Sequence, residues 1–105
     1  MVPQSVIEGM VRQIVRRFNP LRIVLFGSCA RNDSKADSDV DLLVVMPDGT
    51  HTRETAIAMM SELRDADASK DIIVATPETL RRFGDSPGMI YRSALQEGRV
   101  LHERN

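Results

Sequence analysis

Residues 39–46 read Asp-Val-Asp-Leu-Leu-Val-Val-Met, and this stretch decides the fold. From Leu42 to Met46 every residue is apolar, which predicts a strand buried on both faces of a sheet. Side chains alternate along a strand, so Asp39 and Asp41 are expected to point the same way, about 7 Å apart. Two carboxylates at the mouth of an apolar strand are costly unless something neutralises them. A hard divalent cation such as Mg²⁺ is the natural candidate, because it prefers carboxylate oxygens.

A third acid precedes the next apolar run. Residues 70–75 read Lys-Asp-Ile-Ile-Val-Ala, which predicts another strand with Asp71 near its start. If the two strands are neighbours, about 4.8 Å apart, Asp71 joins Asp39 and Asp41 on one patch. Their repulsion should raise at least one of the three pKa values unless a metal ion is bound. Such a cluster suits a two-metal site for in-line phosphoryl displacement.

A glycine–serine pair supplies the complementary piece. Residues 22–26 read Arg-Ile-Val-Leu-Phe, which predicts a buried strand, and Gly27-Ser28 closes it with a tight turn. A strand that ends in glycine and turns into a short helix presents free N–H groups and lets a phosphate approach the backbone. The Ser28 hydroxyl and the Arg31 guanidinium can add contacts. Cys29 has no histidine near it in sequence and is interpreted as a small turn residue rather than a nucleophile.

Each of these features also has an ordinary explanation. Asp-x-Asp at a strand start is usually a solvated strand end, Gly-Ser before a helix is usually an N-cap, and Asp71 beside Lys70 could be an exposed terminus. The combination of all three is what indicates a site.

The rest of the chain predicts a single α/β unit over residues 1–105. A helix with an apolar stripe ends at Asn19-Pro20, because proline cannot continue the hydrogen-bond ladder. The further predicted elements are a short helical turn and loop over 29–38, a helix over 52–66, a short helix from Thr76-Pro77-Glu78 through Arg82, a helix from Ser86-Pro87 to Glu97, and an edge strand over 100–102.

Composition excludes several classes of protein. Fourteen lysines and arginines against fifteen acids give a net charge of −1, which disfavours general binding to nucleic acid or acidic lipid. No apolar run approaches the roughly 18 to 20 residues of a membrane span. Glu8 lies where a secretory signal would be apolar, and the single cysteine cannot form an internal disulfide. A cytoplasmic location is therefore expected.

Gly27-Ser28, ten intervening residues and Asp39-Val40-Asp41 together form the Gly-Ser and Asp-x-Asp pattern of the DNA polymerase β-like nucleotidyltransferase superfamily. The chain resembles the small members of that superfamily, the minimal nucleotidyltransferases or MNT family. The resemblance extends to Gly27-Ser28-Cys29-Ala30-Arg31 and covers most of the chain, with Asp71 in its expected place. Where the family usually has glycine after its arginine, this chain has Asn32, which also tolerates left-handed backbone.

The resemblance implies a small mixed sheet of three or four strands flanked by helices, and it implies roles for individual residues. By resemblance, Asp39, Asp41 and Asp71 are catalytic and hold two Mg²⁺ ions, and Gly27, Ser28 and Arg31 bind the nucleotide. Asp71 would also help to deprotonate the acceptor hydroxyl. The implied reaction transfers a nucleoside monophosphate to an acceptor hydroxyl and releases pyrophosphate. The nucleotide expected first is ATP, from which AMP would be transferred.

The resemblance also implies partners. Small members of the family are commonly encoded beside an all-helical HEPN protein, a candidate ribonuclease toxin, and act as its antitoxin by adenylylating it or by binding it. Because 105 residues leave no room for a second domain that would grip the acceptor, the acceptor is expected to come from a partner or from a second copy of the chain.

Three hypotheses follow. The first is an active metal-dependent nucleotidyltransferase, for which a homo-oligomer is one of the expected assemblies. The second is a non-catalytic antitoxin that neutralises its partner by direct contact. The third, a small-molecule transferase of the aminoglycoside-modifying kind, needs an acceptor pocket for which the sequence offers no second domain. The intact acids favour the first, because unpaired buried acids are costly to keep without a use.

Overall fold

The computed structural model describes residues 2–30, 39–86 and 90–104, and of Ser28 it describes only the backbone. In chain order the elements are helix α1 (Gln4–Phe18), strand β1 (Arg22–Phe26), a 3-10 turn (Gly27–Cys29), strand β2 (Val40–Val45), helix α2 (Thr52–Glu62), strand β3 (Lys70–Ala75), helices α3 (Pro77–Phe83) and α4 (Ile90–Glu97), and strand β4 (Arg99–Glu103).

The four strands form one mixed sheet in the order β3-β2-β1-β4. Strand β1 lies between β2 and β4 and is antiparallel to both. Strand β3 runs parallel to β2, because α2 carries the chain back to the starting end of the sheet between them. The end of β1 and the starts of β2 and β3 therefore meet at one end of the sheet.

The central strands are buried on both faces, as their continuous apolar sequences predict. Ile23 and Leu25 on β1 face a core that α1 and α2 cover, whereas Val24 and Phe26 face a smaller core with Ala94 of α4. On β2 the same alternation assigns Leu42 and Val44 to the first core and Leu43 and Val45 to the second. The two helical layers thus cover β1 and β2 on both faces of the sheet.

The predicted fold class, a small mixed sheet flanked by helices, is confirmed. Helix α1 ends at Phe18, and its C-cap Asn19 adopts left-handed backbone (φ 49°) before Pro20, which agrees with the predicted end at Asn19-Pro20. The start predicted for the last helix at Ser86-Pro87 is not where the described helix begins, since α4 starts at Ile90 and residues 87–89 lie outside the described part. Of the helical turn and loop predicted over 29–38, residues 31–38 likewise lie outside it.

Helix α2 is shorter than its apolar pattern predicts. It ends at Glu62 rather than Ala66, and Leu63 is its C-cap. Leu63 is nevertheless fully buried, and Ala66 packs against the same core. In the ranges 2–30, 39–86 and 90–104, no helix has both the length and the apolar character that crossing a membrane requires.

Candidate active site

Asp41 lies at the centre of the candidate site because of the strand register. On one side it pairs with Phe26, the last residue of β1, in the antiparallel ladder. On the other side it pairs with Asp71 in the parallel ladder to β3. Neighbouring strands lie about 4.8 Å apart, so the two carboxylates leave adjacent backbones at the same level. The second and third strands are therefore neighbours, which is the condition on which the predicted convergence of Asp41 and Asp71 depended.

The three acids belong to one face of the sheet. Asp41 alternates with Leu43 and Asp71 with Ile73, and both apolar residues belong to the core beneath α3 and α4. Asp39 immediately precedes β2, rather than beginning the strand as predicted, and its alternation with Asp41 assigns it to the same face. Asp39 and Asp71 are exposed, whereas Asp41 is half-buried. The acids therefore form a shallow patch that solvent and ligands can reach.

The electrostatics of the patch are unfavourable for three bare carboxylates. Burial, then the charge of Asp71, then that of Asp39, raise the pKa of Asp41 above its ordinary value. The sequence predicts the repulsion, but the largest cause is desolvation, which follows from the position of Asp41 inside the ladder. Among the described residues, no lysine, arginine or histidine forms an ion pair with any of the three acids.

Gly27 makes room for the Asp41 side chain. It adopts left-handed backbone with φ of 74°, a conformation that favours glycine. A Cβ built on Gly27 would overlap Oδ2 of Asp41 and lie 3.4 Å from its Cγ. The carboxylate therefore lies directly against the backbone of the glycine turn. Any phosphate that approaches the turn must also approach this acid, which requires a cation to lie between the two negative groups.

The 3-10 turn also contacts the start of β2 through Cys29. The thiol of Cys29 is buried and donates a hydrogen bond to the backbone carbonyl of Asp39, at 3.4 Å between Sγ and O. Within the turn, the N–H of Ala30 donates to the carbonyl of Gly27. The turn thus contacts both aspartates of the Asp-x-Asp motif: Gly27 packs against Asp41, and Cys29 is hydrogen-bonded to the backbone of Asp39.

The donor set suits a hard divalent cation. The half-buried Asp41 carboxylate offers oxygen ligands and lacks a positive partner in the described part of the chain, and both properties fit Mg²⁺. As the side chains stand, no three His, Cys, Asp or Glu residues within residues 2–30, 39–86 and 90–104 are grouped closely enough to hold one ion. Like charges repel, but Asp39 and Asp71 are exposed, so their side chains can turn toward an ion.

Of the predicted nucleotide-binding residues, Ser28 is described only in part and Arg31 is not described. Ser28 lies in the 3-10 turn beside Gly27, but its hydroxyl lies outside the description. Arg31 falls in the segment 31–38, also outside the described residues, so its phosphate contact stays a prediction. Sequence reasoning missed the Cys29 hydrogen bond to Asp39. No local sequence signal points to it, because the contact depends on the antiparallel pairing that brings the turn beside the start of β2.

A family model described as a nucleotidyltransferase domain matches residues 8–101. No curated protein matches the chain by sequence at a significant level.

Among solved structures, a candidate nucleotidyltransferase from Sulfolobus solfataricus is similar in fold, with a TM-score of 0.64 and 22% identity over 95% of this chain and 79% of that one. A toxin–antitoxin structure with AMP-PNP has a TM-score of 0.66 and 22% identity over 93% of this chain and 74% of that one. The cyclic dinucleotide synthase CdnE of Elizabethkingia meningoseptica, with GTP and Apcpp, has a TM-score of 0.53 and 18% identity over 70% of this chain and 36% of that one.

Proposed function

Since the chain belongs to the nucleotidyltransferase domain family, we propose that it transfers AMP from ATP to an acceptor hydroxyl with the help of Mg²⁺. One observation carries the proposal. The Asp41 carboxylate lies between the glycine turn and Asp71, where burial and neighbouring acids disfavour its charged form. This arrangement is useful if the carboxylates bind a cation that also binds the phosphates of a nucleotide.

In the proposed reaction the acceptor hydroxyl oxygen attacks the α-phosphorus of ATP. A new O–P bond forms, the bond from the α-phosphorus to the bridging oxygen breaks, and pyrophosphate leaves with that oxygen. Asp71, exposed on β3, accepts the proton of the acceptor hydroxyl. Gly27 and Ser28 hold the triphosphate with the backbone of the turn.

Asp39, Asp41 and Asp71 would hold the divalent ions, two per site. When bound, the ions supply positive charge that offsets the negative charge of the phosphates and of the departing pyrophosphate. The chain's own contribution is positioning: the ladders of β2 fix Asp41 between its two neighbours before the nucleotide arrives.

The proposed acceptor is a hydroxyl on an all-helical HEPN toxin, which makes the chain a protein-adenylylating antitoxin. Two findings support this proposal: the fold is similar to that of a toxin–antitoxin structure with AMP-PNP, and the acidic patch is open to solvent. A macromolecular hydroxyl can reach an open patch, whereas a small acceptor needs an enclosing pocket to hold it.

The test uses ATP radiolabelled at the α-phosphate, with Mg²⁺ and the product of the neighbouring open reading frame. We expect the partner protein to become radiolabelled. We expect no labelling of the partner when the ATP is labelled at the γ-phosphate instead, because that phosphate leaves with pyrophosphate. The double variant Asp39→Asn with Asp41→Asn should lower transfer by about a thousandfold or more. A matched control is Glu54→Gln, which removes an exposed carboxylate on α2, with a side chain that is 80% exposed. Unchanged transfer by the double variant would refute the proposed site.

A second candidate function is neutralisation of the partner by contact alone. One observation favours it: large apolar side chains are exposed on α3, α4 and β4, namely Phe83, Ile90, Leu95 and Val100. Of these, Leu95 lines a groove of about 600 Å³, together with Leu21 and Leu80, that opens at the opposite end of the sheet from the acids.

Two substitutions separate the candidates. If contact is sufficient, Leu95→Asp abolishes neutralisation of the partner in cells while the acid double variant still neutralises it. If transfer is required, the acid double variant loses neutralisation. Binding of the partner, measured by co-purification, should survive the acid substitutions in both cases, because they lie at the other end of the sheet.

A further inference from the structure

The single cysteine of the chain occupies a position that the proposed chemistry does not use. Cys29 is the last residue of the 3-10 turn and is only 6% exposed, packed into the core beneath α1 and α2. Its thiol donates to the backbone carbonyl of Asp39, ten residues further along the chain. The hydrogen bond therefore joins the two ends of the segment that separates the Gly-Ser and Asp-x-Asp motifs.

The accepting atom makes this contact important for the site. The carbonyl of Asp39 belongs to the peptide that leads into Val40, so holding it restricts the backbone torsion next to the Asp39 side chain. Two residues before Cys29, Gly27 packs against the Asp41 carboxylate. One turn thus contacts both acids of the motif, through the carboxylate of Asp41 and the backbone of Asp39.

We infer that Cys29 is a positioning residue, which holds the backbone of Asp39 so that its carboxylate faces the same ion as that of Asp41. The inference rests on the proposed metal-dependent function of these acids. A thiol is a weak donor, so the effect is smaller than that of losing a ligand. Loss of a hydrogen bond behind a ligand typically weakens metal binding 10- to 100-fold, and about tenfold is expected here.

The coupling must work in both directions. If the Cys29 hydrogen bond favours the geometry that binds the ion, the bound ion favours the hydrogen bond equally. Buried thiols react through local opening, so a divalent ion should slow alkylation of Cys29. No other cysteine competes for the reagent, and the label reports on this residue alone.

The first experiment measures the rate of iodoacetamide labelling of the folded protein with and without Mn²⁺. We expect slower labelling with Mn²⁺, and we expect Asp39→Asn to remove that protection. Equal rates with and without the ion, at concentrations where calorimetry shows Mn²⁺ bound, would overturn the inference. If Asp39→Asn no longer binds Mn²⁺ but adding Mn²⁺ still slows the labelling of Cys29 in that variant, the inference is overturned as well.

The second experiment measures the Kd of Mn²⁺ by titration calorimetry, independently of activity. Cys29→Ala should raise the Kd about tenfold, and Cys29→Ser, which keeps a donor, should restore most of the affinity. Val44→Ala is the matched control, because it removes buried volume from the same core at a position along β2 beyond the acids. It should lower the melting temperature and leave the Kd unchanged.

The outcomes separate the two proposals. If the wild-type protein binds Mn²⁺ and Cys29→Ala binds it equally well, the positioning role fails and the proposed function stands. If the wild-type protein binds no Mn²⁺ even with ATP present, the metal-dependent function fails, and the positioning role fails with it. An equal loss of affinity in Cys29→Ala and Val44→Ala would show a general effect of stability and would also refute the inference.

Discussion

At residue 27 the site leaves no space for a side chain. Gly27→Ala would force a Cβ into the Asp41 carboxylate and would also strain the backbone at φ of 74°. We expect a loss of stability of about 1–3 kcal/mol and a loss of transfer of at least about a hundredfold, because Asp41 must move. Chemical denaturation and the label-transfer assay measure the two effects.

Gly49 provides a matched control. It has φ of 92°, but a Cβ there would have no atom within 4 Å. Gly49→Ala should therefore cost about 1 kcal/mol of stability through backbone strain alone and leave transfer unchanged. If Gly27→Ala keeps full activity, the Asp41 carboxylate does not need its observed position.

Asp41 should make the protein less stable as it ionises. Burial, with smaller contributions from Asp71 and Asp39, raises its pKa in the folded protein above that in the unfolded chain. The folded state then holds the proton more tightly, so this stabilisation is fully present below the unfolded-chain pKa and is lost as pH rises through the folded-state pKa.

Asp41→Asn should accordingly raise the melting temperature at neutral pH in the presence of EDTA, while it abolishes transfer. The gain should shrink as the pH falls through the raised pKa of the wild-type carboxyl. Glu54→Gln, at an exposed position, serves as the control and should show no such pH-dependent gain. A lower melting temperature for Asp41→Asn at neutral pH would contradict this description of the site.

At the scale of elements, α3 has side-chain hydrogen bonds at its N-terminus, while its packing on the core is limited to partly buried side chains such as Leu80. It has no buried residue, yet Thr76 caps it, accepting a hydrogen bond from the N–H of Thr79 at 3.3 Å. Asp48, in the loop after β2, accepts a second one from the N–H of Glu78 at 2.9 Å. Thr76→Ala should lower the free energy of unfolding by about 1 kcal/mol, and Thr76→Ser, which keeps the acceptor, by less.

Transfer activity should be the same in both Thr76 variants, since α3 begins at the end of the sheet opposite the acids. Urea denaturation followed by circular dichroism gives the stability difference. Equal stability of Thr76→Ala and wild type would show that Asp48 and Pro77 are sufficient to start the helix.

The elements differ in how far the sequence predicts them. β3 matches its predicted range because a strand covered on both faces reads as an unbroken apolar run. The end of α2 could not be read in this way. Leu63 and Ala66 continue the apolar spacing because they still pack into the core after the backbone has left the helix. Periodicity reports burial, and it does not report the hydrogen bonds that define a helix end.

At the scale of the whole molecule, the site is a product of strand order. The sequence identifies Asp41 and Asp71 as acids before apolar runs, but it leaves open whether their strands are neighbours, and the strand order is what pairs them in parallel. The approach of Gly27 to Asp41 and of Cys29 to Asp39 depends on antiparallel pairing of β1 with β2. No local pattern specifies that pairing, so these contacts become visible only in the folded chain.

In the proposed function, the acidic patch binds nucleotide through divalent ions. The most direct measurement is calorimetric titration with an ATP analogue that cannot be cleaved between its α- and β-phosphates, because this needs no acceptor. We expect the wild-type protein to bind the analogue with Mg²⁺, and we expect no detectable binding with EDTA or in the double variant Asp39→Asn with Asp41→Asn. Equal binding by the double variant, or binding that is indifferent to Mg²⁺, would contradict it.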